Sequence, residues 1–258
     1  MDTAMIAPLH VKAYHCSPNG LLLPHVLAQL CQDIASDHAD SLGFGFERLK
    51  ERNQIWALVL FRLEITRQPR YGMKLVLETW PSGISRLRAS REFRMADSAG
   101  NTFFLGSSDW MVLDAQSRKP QNLDSLHMGQ HLRPQRLLGD KLPRHKPEGG
   151  GRELARIRIP ISALDANGHV NNTEYVRYSY DALYANGYVG ALRGLGMAFH
   201  SEAFLNDELI LQYTREERHH CVAGYRKASP VFSALFALEA GEVDACHTPE
   251  NDVEGYRE

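Results

Sequence analysis

No run of apolar residues in this chain is long enough to cross a bilayer. The longest, Ile55 to Phe61, falls far short of the roughly 20 residues that a membrane helix needs. There is no disulfide framework either. Cys16, Cys31, Cys221 and Cys246 are widely scattered and form no CxxC pair. Met1 to His15 lacks the charged start and apolar block of a secretory leader, so a reduced, cytoplasmic setting is expected. Neither sign of charge dominates: 29 Lys and Arg stand against 31 Asp and Glu, a net charge of −2. That balance argues against a dedicated nucleic-acid binder. His219-His220-Cys221 and Cys246-His247 lack a full ligand set at a known spacing, so no metal and no other cofactor is expected. Gly43-Phe44-Gly45 follows a helix-type run rather than a strand and is no phosphate loop.

What is present concentrates in one stretch. Asp165-Ala166-Asn167-Gly168-His169-Val170-Asn171-Asn172 places an acid, amide donors and an imidazole in one turn. A helix-type pattern follows it. Asn171 is a natural cap for that helix, and Glu174, three residues on, is placed to return the cap. Such a loop sets polar side chains beside free backbone N–H groups, which suits a reaction that develops negative charge on oxygen. Asp, Asn and Gly are also ordinary turn residues, so the octet by itself fits a structural turn equally well.

A faint internal repeat adds weight. Asn19-Gly20-Leu21 aligns on Asn167-Gly168-His169, which sets Ser17 against Asp165 and Leu21 against His169. The following helices align as well, with Leu27, Leu30, Cys31, Ile34 and His38 on one face of the first. Tyr175, Val176, Ser179, Ala182 and Leu183 mark the second. Phe61-Arg62-Leu63-Glu64 aligns on Phe199-His200-Ser201-Glu202. At 258 residues, two such units fill the length. The polar set occurs once, which implies one site per chain.

The coarse pattern is a helix and then several strands, twice over, an α+β layout. Helices are predicted from Pro24 to about Ser41 and from about Asn172 to Asn186. In the first half strands are predicted over Ile55–Thr66, Lys74–Trp80, Leu87–Met95 and Thr102–Leu113. In the second they cover Arg156–Ile161, Gly196–Phe204, Leu209–Thr214, His220–Ala228 and Val231–Glu239. Asp97 to Asn101 and Asp114 to Ser117 read as turns. Residues 128–151 form a Pro- and Gly-rich basic connector with Arg133, Arg136, Lys141, Arg144 and Lys146; a solvated linker is the first reading, a docking strip for an acidic partner the second. Arg86, Arg88, Arg91 and Arg94 read first as the solvated face of a strand and second as a docking surface for a protein partner, and His38 as a satisfied, half-buried histidine.

Asp165-x-Asn167-x-His169-Val170-Asn171-Asn172, Phe199-x-x-Glu202 and Asn206-Asp207-Glu208-Leu209 resemble the acyl-acyl-carrier-protein (acyl-ACP) thioesterases. So do Gln32-Asp33-x-Ala35-x-x-His38, Leu42-Gly43-x-Gly45, Trp56-Ala57-Leu58, Arg67-x-Pro69 and Glu78-Thr79-Trp80-Pro81. Arg91-x-Phe93, Gly100 and Ser108-x-Trp110-x-x-x-Asp114 continue the series. The resemblance covers nearly the whole chain. It implies two tandem hotdog domains, each a curved antiparallel sheet wrapped around a long helix: residues 1–127 for the acyl chain and 152–258 for catalysis. It implies hydrolysis of fatty acyl thioesters on Asp165, Asn167, His169 and Glu202, with an acyl carrier protein as partner. Leu27, Cys31, Ile34 and Trp56 would contact the acyl chain, and backbone N–H groups around Val170 and Asn171 the thioester oxygen. Glu202 is the first choice for the base, Asp165 the second. Two departures stand out. The family often has Tyr where Phe199 stands, and some members have Cys where Ala203 stands, so a thiol nucleophile is ruled out at that position. Coenzyme A as carrier, a hotdog dehydratase, a non-catalytic acyl-thioester binder and a homodimer all fit the same letters.

Overall fold

The computed structural model describes residues 4–126, 128–138, 150–188 and 190–239. Lys141, Arg144 and Lys146 of the connector, and the Cys246-His247 pair, lie outside the described residues.

The first half runs β1 (Met5–His10), α1 (Pro24–Ser41), α2 (Phe46–Lys50), β2 (Gln54–Ile65), β3 (Lys74–Ile84), β4 (Ala89–Ala96) and β5 (Thr102–Asp114). The second runs β6 (Arg152–Arg158), α3 (Asn172–Ala185), β7 (Ala191–Phe199), β8 (Glu208–Glu216), β9 (His219–Arg226) and β10 (Ser229–Glu239). Pro24 occupies the first turn of α1, where its missing N–H costs nothing. Gly43, at φ +85°, turns the chain away after its last turn. Asn171 caps α3 by accepting the N–H of Thr173 at 2.9 Å. Glu174 does not close the reciprocal half of that cap; its carboxylate pairs with Arg177 one turn on.

Among the described residues, ten strands join one antiparallel sheet in the order β1-β3-β4-β5-β2-β7-β10-β9-β8-β6. Read from the centre outward, each half repeats the same order. The halves meet where β2 pairs with β7. There Phe61 lies opposite Met197, Arg62 opposite Gly196, and Leu63 opposite Leu195. Exchanging residues 134 positions apart maps this register onto itself, so a pseudo-twofold axis passes through the Arg62–Gly196 pair. Each half curls its strands over its own long helix, the hotdog arrangement, and the two helices pack on each other.

That axis corrects the sequence alignment of the repeat. The N–H of Leu22 donates to Pro69 O at 2.8 Å, and the N–H of Val170 donates to Ala203 O at 2.9 Å. Thr66 and Arg67 both donate to Phe103 O, just as His200 and Ser201 both donate to Val231 O. The residue matching Glu202 is therefore Gln68, not Glu64. The same slip placed β7 at Gly196–Phe204, five residues late. The polar stretch after Phe199 is a loop, and the strand begins in the small-residue run at Ala191. β6 starts earlier than expected and stops before Pro160, because Ile161 turns into a short 3-10 segment. β1 and α2 carry too little periodicity to be seen in the sequence.

Phe232 shows how a helix is seated on its sheet. It lies opposite Gly224 on the neighbouring strand. It is fully buried and stacks on Tyr175 of α3 with ring centroids 4.8 Å apart. A Cβ on Gly224 would meet the Phe232 ring at 2.1 Å. The glycine makes room for an aromatic that carries α3. Gly224→Ala should therefore lower unfolding stability by about 1–3 kcal/mol, as overpacking does, seen as a reduced urea midpoint at unchanged slope.

Candidate active site

The octet forms a tight turn whose backbone fixes its side chains. Asp165 N–H donates to His169 O at 2.8 Å, and Gly168 N–H to Asp165 O at 3.0 Å. Gly168 sits at φ +79°, a conformation that glycine alone adopts without strain. The Asp165 carboxylate oxygen Oδ1 accepts the N–H of Asn167 at 2.8 Å and, more weakly, that of His169 at 3.4 Å. In the first half Ser17 N–H donates to Leu21 O and Gly20 N–H to Ser17 O, the same backbone without the acid or the imidazole.

Two N–H groups expected to face a thioester oxygen are occupied. Val170 donates to Ala203 O, and Asn171 donates to Ala163 O at 2.9 Å. Both bonds anchor the turn to the loop carrying Glu202 and to the preceding 3-10 segment. Val170 is buried and Asn171 serves as the helix cap. Asn167 and Asn172 are placed otherwise, on the wall of a cavity.

Through the Val170–Ala203 bond, Glu202 comes to rest beside His169, with Oε1 3.5 Å from Nε2. The imidazole is nearly buried and meets Phe204 edge to face at 5.6 Å. A third group, absent from the sequence expectations, completes the cluster. Arg118 Nη2 lies 2.9 Å from His169 Nε2, and Arg118 Nε lies 3.5 Å from Glu202 Oε2. It belongs to the turn after β5, in the other half. Nothing in its neighbourhood, a run of turn residues, signals this contact.

The cavity measures about 280 Å³ and lies mainly in the first half. Asp165, Asn167 and Asn172 reach its wall from the second half, and Trp56 and Trp110 from the first. His169 and Glu202 are not on that wall. The four expected catalytic residues thus divide into two at the cavity and two against Arg118. Of the residues expected to contact the acyl chain, Trp56 lines the cavity. Leu27, Cys31 and Ile34 do not; they are buried in the core. The helix turns a different stripe, Gln32, Ala35, Ser36 and Ala39, to the cavity. A narrow apolar recess extends between the two helices past Phe61, Val176 and Phe199, sharing Gln32, Trp110 and Asn172 with the main cavity.

Arg91 also differs from expectation. Strand alternation turns it inward, onto the cavity wall and away from solvent, while Arg94 reaches out to Gly100 O. Arg91 Nη1 lies 3.0 Å from His38 Nδ1 and donates to Thr79 Oγ1 at 3.2 Å. Burial lowers Arg91 to about 10. Burial, and then the charges of Arg91 and His131, lower His38 to about 4. The guanidinium has no acceptor lone pair, so His38 Nδ1 accepts and the ring is held neutral. In the connector, Arg133 pairs with Glu78 at 2.8 Å and lies 4.2 Å over the ring of Trp80, while Arg136 donates to Ser90. The described part of the basic strip is thus tied to the first half, with Arg136 still exposed. Among the described residues no group of three or more His, Cys, Asp or Glu could hold a metal ion.

The model of the acyl-ACP thioesterase N-terminal domain matches residues 9–125. Over those residues the chain is similar to the acyl-ACP thioesterases. It is 24% identical over 195 residues to oleoyl-acyl carrier protein thioesterase 1 of Arabidopsis thaliana, covering 67% of this chain and 53% of that protein. It is 25% identical over 195 residues to the oleoyl-acyl carrier protein thioesterase of Coriandrum sativum, covering 67% and 52%. The chain thus spans about half the length of the curated relatives it matches. Among solved structures, an acyl-ACP thioesterase from Bacteroides thetaiotaomicron aligns with a TM-score of 0.81 at 24% identity, over 92% of this chain and 98% of that one. The 12:0-ACP thioesterase from Umbellularia californica aligns with a TM-score of 0.83 at 16% identity, over 92% and 97%. These two likenesses concern the fold.

A neutral, buried His38 makes a pH prediction. Its folded value lies below the ordinary 6.5, so the unfolded chain binds the extra proton. Stability is unaffected above that value and falls as pH drops from about 6.5 toward about 4. His38→Gln should flatten this acid-side decline, measured as the difference in urea midpoint between pH 7 and pH 5.

Proposed function

We propose that this chain hydrolyses fatty acyl-ACP thioesters, releasing the fatty acid and the carrier protein. The observation that carries the reading is the meeting of the Asp165–Asn167 loop with a cavity built by the other half, on the same turn as His169, whose ring lies 3.5 Å from the Glu202 carboxylate. The kinship with acyl-ACP thioesterases supports the substrate class. A thioester carbonyl is electrophilic enough for water to attack directly. Glu202 takes a proton from that water as its oxygen bonds to the carbonyl carbon. Asn167 and Asn172 donate to the oxyanion, each such donor being worth roughly 3 kcal/mol. The carbon–sulfur bond then breaks, and the proton returns to the departing phosphopantetheine sulfur. Glu202 is preferred to Asp165 as base because the Oδ1 of Asp165 already serves two backbone N–H groups. His169 flanks the carboxylate.

In this reading residues 1–127 hold the acyl chain, residues 128–151 connect, and residues 152–258 supply the loop and the base. No helix among the described residues is long and apolar enough to cross a membrane. Cys16, Cys31 and Cys221 are free thiols, in keeping with a cytoplasmic, reducing setting.

Incubation with acyl-ACP and acyl-coenzyme A of graded chain length, with thiol and free acid both measured, separates the alternatives. Hydrolysis yields both products in equal amounts. A dehydratase leaves the thioester intact, and a binding module turns nothing over. Glu202→Gln should lower kcat about 10²–10⁴-fold while acyl-ACP still binds; a variant of full activity would remove Glu202 as the base.

A further inference from the structure

We infer that Arg118 is a positioning residue that sets the tautomer of His169 and holds Glu202 in place, so that the polar cluster is complete only when both halves are joined. This deepens the hydrolytic reading of the same site and rests on it for its role in turnover.

The turn that delivers Arg118 is tightly tied. Asp114 Oδ1 accepts the N–H groups of Ser117 at 2.7 Å and Gln116 at 3.2 Å, and the Ser117 hydroxyl at 2.8 Å. Asn53 Nδ2 donates to Asp114 Oδ2 at 3.1 Å, and Ala115 N–H donates to Asn53 O at 2.8 Å. Arg118 N–H closes the turn on Asp114 O at 3.0 Å, with Arg118 at φ +57°. A non-glycine residue in that region is uncommon and is kept where its surroundings fix it. The side chain therefore leaves a rigid platform in the first half and ends in the second half, between His169 and Glu202.

The chemistry of the contact is asymmetric. A guanidinium carries five N–H donors and no acceptor. Its 2.9 Å approach to His169 Nε2 requires a lone pair on that nitrogen. The ring proton then sits on Nδ1. With no proton on Nε2, the 3.5 Å contact between Nε2 and Glu202 Oε1 is not a hydrogen bond. Arg118 is the group that draws both together, through Nη2 to the imidazole and Nε to Oε2. Without it, Nε2 becomes free to carry the proton and donate to Glu202, occupying the lone pair the base needs. A lysine would restore charge but not the two-pronged geometry.

The test uses the full chain with 15N-labelled histidine, Arg118→Ala and Arg118→Lys as variants, and His169→Gln to assign the signals. In the wild type, the His169 nitrogens should show an unprotonated Nε2 and a protonated Nδ1. In Arg118→Ala the proton should move to Nε2, and kcat on acyl-ACP should fall about 10–100-fold, with KM changed less than kcat. Added guanidinium should recover part of that loss in Arg118→Ala. Should Arg118→Ala fail to fold, Arg118→Lys carries the same nitrogen measurement and should show mixed protonation. A wild-type Nε2–H, or an unchanged nitrogen pattern in the variants, overturns the proposal. The nitrogen signals need no turnover: a correct tautomer in a chain that hydrolyses nothing would overturn the hydrolytic reading alone.

Discussion

The pairing of β2 with β7 is the constraint from which the rest follows. Each half alone would leave a long strand edge of unmatched N–H and C=O groups, and closing the two edges on each other satisfies both. The register at Arg62–Gly196 then leaves little freedom in how the halves face one another. It sets the turn after β5 against the loop after β7. Arg118 thereby meets His169 and Glu202, and the cavity of the first half receives Asp165 and Asn167 as part of its wall.

Within that symmetric frame the two halves have different duties written on one backbone. The loop around Gly20 and the loop around Gly168 share their turn bonds and their link to the segment after the central strand. The side chains diverge. Gln68, at the position of Glu202, is buried; its amide donates to Leu22 O at 2.8 Å and accepts the N–H of Leu192 at 3.0 Å. An amide there joins the halves together. A carboxylate at the other copy remains partly open to solvent. Leu22 and Val170 are both buried at matching positions, so the loops differ in chemistry and not in how they are anchored.

Local patterns were legible where a few residues decide the structure. Pro24, Gly43 and Asn171 marked the helix ends, and the buried face of α3 is the one its periodicity indicated. The octet was legible as a polar turn because Asp, Asn and Gly act within five residues of one another. What depended on distant pairing was not. β7 was displaced because loop residues after Phe199 are as strand-like as the glycine-rich run that forms the strand. Arg91 read as one more surface arginine, since its inward side is decided by sheet register. Arg118 lies 51 positions from His169, and no spacing rule connects them. Which stripe of the first helix faces the cavity was not legible, because an apolar stripe at Leu27, Cys31 and Ile34 looks the same whether it meets packed neighbours or an empty space.

The outermost strands bear on how one molecule meets another. With β2 and β7 consumed at the centre, the sheet ends at β1 and β6. β1 carries Pro8, which has no N–H to offer. β6 is dense in charge, with Arg156 paired to Glu153 and to Glu208 on the adjoining strand. Among the described residues, both rims carry features that disfavour adding a further strand.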